Sequence, residues 1–119
     1  MLFGGWDSAF DLLGDTWEWD GVDWIQRSPA TVPPARFQHA LAYDSNRGVT
    51  VLFGGNGGAR LDDTWEWDGS TWSALYGPFA NGADGIVTAL ACFDDGGGED
   101  LYAGGVFVEA GGVETYYVA

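Results

Sequence analysis

The sequence predicts an all-β chain, an incomplete β-propeller of about two and a half four-stranded antiparallel blades, and three observations carry that prediction. One stretch is written twice: Leu2-Phe3-Gly4-Gly5 followed by Asp15-Thr16-Trp17-Glu18-Trp19-Asp20-Gly21, then Leu52-Phe53-Gly54-Gly55 followed by Asp63-Thr64-Trp65-Glu66-Trp67-Asp68-Gly69. The glycine pairs recur at Gly4-Gly5, Gly54-Gly55 and Gly104-Gly105, a fifty-residue beat, and a period near fifty is the spacing of propeller blades. The tryptophan stretches alternate in the period-two pattern of strands. Because a closed ring needs at least four blades, or ~200 residues, 119 residues are expected to be a piece of a longer repeat protein or a unit that assembles.

Taken in order, Met1 to Phe3 enters as the strand before a glycine pair, in the middle of a repeat, and Trp6 to Gly14 is expected to be a connecting loop. Residues 16–27 read as a hairpin turning at Asp20-Gly21, where glycine supplies positive φ, and Trp24 follows three residues past the turn. Pro29, Pro33 and Pro34 keep residues 28–34 out of a sheet, since proline removes ladder donors. This stretch is the crossing between blades. Arg36 to Tyr43, Val49 to Phe53, 64–68 and 71–75 are the four strands of one complete unit. A seven-residue loop, Asn56 to Asp62, follows the second glycine pair. Residues 85–119 repeat the register with different wording: Gly85 to Asp94 aligns with Phe37 to Asp44, matching Ala40 to Asp44 apart from one inserted residue, Leu101-Tyr102-Ala103-Gly104-Gly105 with Val51 to Gly55, and Thr115 to Ala119 occupies the place of the tryptophan strand. The count is ten strands, and the divisions are a partial blade at 1–27, a complete one at 36–75 and a divergent partial one at 85–119.

The net charge is -14, from 18 acidic residues against four arginines and no lysine. Nucleic acid needs a basic footprint to release counterions, so it is excluded as a partner. An anionic membrane surface is disfavoured for the same reason, and no apolar run approaches the ~18 residues of a span. Met1 to Gly5 lacks the regions of a signal peptide. A single cysteine, Cys92, precludes an internal disulfide and a thiolate zinc cluster, and its apolar neighbours predict a buried small hydrophobe.

The residues Pro34, Arg36, His39-Ala40, Tyr43-Asp44, Gly54-Gly55, Asp63-Thr64-Trp65, Trp67-Asp68 and Trp72 resemble the kelch repeat, in the form found in galactose-oxidase-like central domains and bacterial surface proteins. The C-terminal part is similar to a related propeller repeat in which an Ala-Gly-Gly follows the first glycine pair. The resemblance implies a first strand carrying His39, a second ending in the double glycine, a third carrying Trp65 and Trp67, and a fourth beginning near Trp72. On the physical side, glycine pairs mark places where a side chain collides or φ is positive. Trp17, Trp19, Trp65 and Trp67, each burying up to ~250 Å², are expected to pack between blades.

No constellation of catalytic residues emerges. His39 is the only histidine, too few for a triad with an orienting partner, and it reads as a packing and hydrogen-bonding residue. The histidine and tyrosine ligands of a copper oxidase map onto no positions here, and copper needs imidazole ligands in number. Asp94, Asp95, Glu99 and Asp100 are weak calcium candidates, lacking EF-hand spacing, and a solvated turn is the preferred reading of that loop. Gly54 to Arg60 lacks the lysine and hydroxyl of a P-loop. Arg36 is expected to pair with an acidic residue such as Asp63. No enzyme activity and no cofactor are expected. The expected function is recognition of a protein or glycan, or scaffolding, in an extracellular or cell-surface parent. The alternative is a fragment of a galactose-oxidase-like or carbohydrate-active enzyme with catalytic residues elsewhere. Open blade edges predict that the isolated chain self-associates.

Overall fold

The computed structural model describes residues 1–75, 86–94, 96–106, 109–110 and 113–114. Among them the chain is all-β, every paired strand antiparallel. A first sheet holds β1 (Leu2–Trp6), β2 (Leu12–Trp19) and β3 (Trp24–Arg27), in that order. A second holds β4 (Ala40–Asp44), β5 (Val49–Asn56), β6 (Arg60–Trp67) and β7 (Trp72–Ala74) as a four-stranded meander. The pair β8 (Ile86–Asp94) and β9 (Glu99–Val106) follows, then a two-residue ribbon of β10 (Glu109–Ala110) and β11 (Val113–Glu114). Among the described residues eleven strands thus stand, where ten were expected of the whole chain. The strand expected at Thr115 to Ala119 lies outside the described residues.

The two copies of the repeated stretch fold in the same register. Leu2 pairs Trp17 and Phe3 pairs Thr16, as Leu52 pairs Trp65 and Phe53 pairs Thr64. Both ladders then slip by one residue across the glycine pair and resume at Gly5 with Leu13 and at Gly55 with Leu61. Two consecutive glycines at positive φ, 60° and 108° in the first copy, 64° and 98° in the second, let the backbone take this bulge without a Cβ penalty. The strands therefore continue past the glycines, and the connecting loops are 7–11 and 57–59. The expected loops, Trp6 to Gly14 and Asn56 to Asp62, were too long because a bulge re-pairs the chain that a break would have released.

At the other end of β2 and β6, the Asp-Gly turns are built by the aspartates. Asp20 Oδ1 accepts from the N–H groups of Val22 at 2.7 Å and Asp23 at 2.8 Å, and Asp68 Oδ1 from Ser70 and Thr71, both at 2.8 Å. The side chain thus substitutes for a backbone acceptor and fixes the hairpin.

In the third unit the β8–β9 pairing reproduces β4–β5 fifty residues on: Asp94 faces Glu99 as Asp44 faces Val49, and Leu90 faces Ala103 as Ala40 faces Phe53. Its irregularity lies elsewhere, between Val87 and Ala89 on β8, against adjacent Gly105 and Gly104. Gly104 is not among the positive-φ glycines, and a Cβ there would meet nothing within 4 Å. Gly104 thus keeps the beat without the positive φ of Gly4 and Gly54. Cys92 is only partly buried, not the core residue expected, and its β8 neighbour Phe93 is exposed.

The main core lies between the first two sheets. Phe3, Leu52, Trp67 and Trp72 are buried together, with Met1, Leu41 and Trp65 packed around them. A smaller cluster joins Ala40 and Phe53 to Val87 and Leu90 of the third unit.

Candidate functional site

Arg36 sits where the chain passes from the first sheet to the second, and it is bonded to both. Its backbone belongs to the first: Gly5 N–H donates to the Arg36 carbonyl at 2.8 Å, and Arg36 N–H donates to the Leu13 carbonyl at 3.1 Å. Its side chain belongs to the second, wholly removed from solvent. Nη1 donates to the Gly54 carbonyl at 2.8 Å and to Asp63 Oδ1 at 2.5 Å, Nη2 to Asp63 Oδ2 at 2.7 Å, and Nε to the Pro34 carbonyl at 3.0 Å. The indole N–H of Trp65 completes Asp63 Oδ2 at 2.7 Å. This use of the backbone explains why β4 begins at Ala40 and not at Arg36 as expected. The Arg36 backbone follows the first sheet, Phe37 bridges to Asn56 of β5, and Gln38 at φ 55° interrupts the chain before it pairs again at Ala40.

Burial acts to raise the Asp63 pKa, but the hydrogen bonds from Arg36 and Trp65 and the guanidinium charge outweigh it, so the carboxyl titrates below its ordinary value. Glu18 behaves alike: burial raises its pKa, while bonds from Trp67 and Arg27 bring it below the ordinary value. That Trp67–Glu18 bond, 2.7 Å, joins the two sheets, as does the Trp72 indole N–H to Thr16 Oγ1 at 2.9 Å.

The tryptophans therefore divide. Trp67 and Trp72 are buried and fill the inter-sheet space as expected for Trp67, with Trp65 partly buried beside them. Their counterparts do not: Trp19 is 51 % and Trp24 47 % exposed, and Trp17 is partly buried. The register puts Leu2, Trp17 and Trp19 on the face of the first sheet turned away from the second, and no described sheet covers it. Expecting one role for both copies missed that, among the described residues, only one of them faces another sheet on that side.

His39 lies between the sheets, its ring edge-on to Phe3 at 5.7 Å. Desolvation, then the positive charge of Arg36, lower its pKa, against a hydrogen bond to the Phe3 backbone. Its Nδ1 is buried without a hydrogen-bond partner, the only other such side-chain atom among the described residues being Asp15 Oδ1. Asp94 Oδ1 accepts from Gly96 at 2.8 Å and Gly98 at 3.1 Å, which is turn chemistry. Asp95 lies outside the described residues, as does the side chain of Glu99, and among those described no group of three potential ligands is placed to hold a metal ion.

Sequence reasoning missed an aromatic group at the glycine-pair end of the first sheet. Trp6 stacks on Phe37 with centroids 4.5 Å apart and meets Phe10 edge-on at 6.0 Å. Trp6 is 55 % and Phe10 78 % exposed. Loop 7–11 is ordered by Asp7, whose Oδ1 accepts from Ala9 at 2.8 Å and Asp11 at 3.0 Å, and it holds Phe10 at φ 65°. A bulky residue in the left-handed region stores strain, which persists where the surroundings impose it. Phe37 in turn exchanges backbone bonds with Asn56, at 3.0 and 2.8 Å. Beside Asn56 a shallow hollow opens, lined by Gln38, Phe53, Gly55, Arg60, Leu61 and Val87. The available signal was the mismatch between the copies: Trp6 and Phe10 stand in the first loop, whereas the second reads Asn56-Gly57-Gly58-Ala59.

Among the described residues no helix is long and apolar enough to cross a membrane. No protein-family model matches the chain, and no curated protein or solved structure is similar enough to it to count as a match.

Proposed function

We propose that the chain is a non-catalytic recognition module, a run of kelch-type propeller blades from a larger extracellular or cell-surface repeat protein, binding a protein or glycan through the loops at its glycine-pair end. The observation that carries this reading is the exposed pair of Trp6 and Phe10, Trp6 stacked on partly buried Phe37 and Phe10 held by the Asp7 turn. Rigid aromatic rings offer large contact area at low entropic cost. Exposed apolar clusters on an ordered scaffold mark interaction sites, and the strained backbone of Phe10 is at home in a binding loop. The charge of -14 selects a neutral or cationic ligand surface, since a polyanion would be repelled.

Screening the chain on a neutral glycan array and a basic peptide library, followed by calorimetry with Trp6→Ala and Phe10→Ala, tests the reading. Binding that falls at least about tenfold in both variants supports it, because aromatic anchors at binding centres are worth upwards of ~1.4 kcal/mol. Binding that both variants leave unchanged would overturn it. Turnover of an alcohol or glycoside would favour the alternative, a fragment of a galactose-oxidase-like or carbohydrate-active enzyme.

A further inference from the structure

Asp15 is the counterpart of Asp63, at the same place in the same ladder of the first sheet. Its Oδ2 accepts the indole N–H of Trp17 as Asp63 Oδ2 accepts that of Trp65. The second oxygen differs. Asp63 Oδ1 receives Arg36 Nη1, whereas Asp15 Oδ1 is buried with no hydrogen-bond partner. Around Asp63 the guanidinium arrives from a residue four positions before β4, the strand that pairs with β5. In the first sheet β1 takes the place of β5 and is itself the edge strand. Gly4 stands in β1 where Gly54, the other acceptor of Arg36, stands in β5.

We propose that Asp15 and the edge of β1 form an acceptor for an arginine-led β-strand, supplied by another repeat. Its guanidinium bonds Asp15 Oδ1 and the Gly4 carbonyl, and the small-residue strand that follows adds to β1. The occupant has the chemistry of residues 36–44, Arg-Phe-Gln-His-Ala-Leu-Ala-Tyr-Asp, of which the Arg36 side chain and β4 fill the equivalent place in the second sheet. The same segment of a second copy is not the donor, because its Arg36 is fully buried on its own Asp63. β1 is the edge strand of its sheet, and strand addition to a sheet edge supplies backbone hydrogen bonds. The planar guanidinium reaches a carboxylate and a carbonyl together, which the point charge of lysine does not reproduce.

A synthetic peptide with the sequence of residues 34–44 is the probe, titrated calorimetrically into the full chain beside its Arg36→Lys and Arg36→Ala versions. The expected result is one-to-one binding that weakens at least about tenfold from arginine to alanine, with lysine in between. In the Asp15→Asn chain the arginine peptide loses the same factor and the alanine peptide loses little more, as a double-mutant cycle requires for a direct pair. Equal binding of the three peptides, unchanged binding to Asp15→Asn, or no binding up to about 1 mM overturns the proposal. Unchanged binding to Asp15→Asn would mean that the peptide displaces residues 36–44 from the second sheet. If Asp15→Asn does not fold, the peptide series decides alone.

Discussion

Arg36 and Asp63 meet fork to fork, Nη1 to Oδ1 at 2.5 Å and Nη2 to Oδ2 at 2.7 Å, with the arginine fully buried and the aspartate side chain 34 % exposed. Removing one partner of a buried pair strands the other, a loss of about 3–5 kcal/mol. The residual exposure of Asp63 places Arg36→Ala near the lower end of that range. The expected outcome is a fall in melting temperature on the order of 10 °C, followed by far-UV circular dichroism, with Arg36→Lys falling between. A variant that melts with the wild type would show that the stitch between the sheets does not contribute to stability.

Acid should weaken the fold in two pH ranges. The His39 pKa lies below its unfolded value of 6.5, so the unfolded chain takes up a proton first, and stability present above that value declines as pH falls towards the folded pKa. Asp63, also depressed below its unfolded value of 3.8, contributes stability that is lost only below about that pH, as its folded pKa is approached. Urea midpoints measured from pH 8 to 3 should therefore begin to slope below about 6.5. In His39→Gln the early slope should vanish while the late one remains. An unaltered early slope in that variant would assign the loss to other groups.

How much of this could be read from the chain alone is clearest at particular residues. The register of both repeats, the Asp-Gly hairpins and the Arg36–Asp63 pair were legible, because period-two patterning, turn chemistry and four arginines among 18 acidic residues each leave few structural solutions. The strand limits at Trp6, Leu12, Asn56 and Arg60 were not. A glycine pair in sequence is equally compatible with a break and a bulge, and only pairing beyond it distinguishes them. Exposure of Trp19 and Trp24 was hidden for another reason: the repeat is identical to that of Trp67 and Trp72, and burial depends on which sheet stands opposite. Phe10 escaped because no local rule anticipates a left-handed phenylalanine.

The glycines offer a graded test. A Cβ on Gly4 would stand 2.6 Å from the Arg36 carbonyl oxygen, and one on Gly55 2.7 Å from that of Phe37, both at positive φ. Clash with backbone adds to the ~1–2 kcal/mol of left-handed strain, so Gly4→Ala and Gly55→Ala should each lose more than about 2 kcal/mol. Gly104→Ala meets open space in an ordinary strand conformation and should stay within about 0.5 kcal/mol of wild type. Chemical denaturation of the three variants measures this directly. A large loss at Gly104 would restore it to equivalence with Gly4 and Gly54.

The paired tryptophans carry the last prediction. Trp67→Ala removes a side chain that is 3 % exposed and donates to Glu18, and should cost about 3–5 kcal/mol. Trp19→Ala removes one that is half exposed, and should cost less than about 1 kcal/mol. The exposed face of Leu2, Trp19 and Trp24 has the same wording as the buried Leu52, Trp67 and Trp72, a surface already suited to packing against a sheet. Self-association of the isolated chain is expected to proceed through it. Light scattering at micromolar concentration should give a mass above the monomer for the wild type, and a lower one for Trp19→Ser combined with Trp24→Ser. A wild-type chain that scatters as a monomer would remove the case for association. An undiminished mass in the double variant would move the contact to another edge.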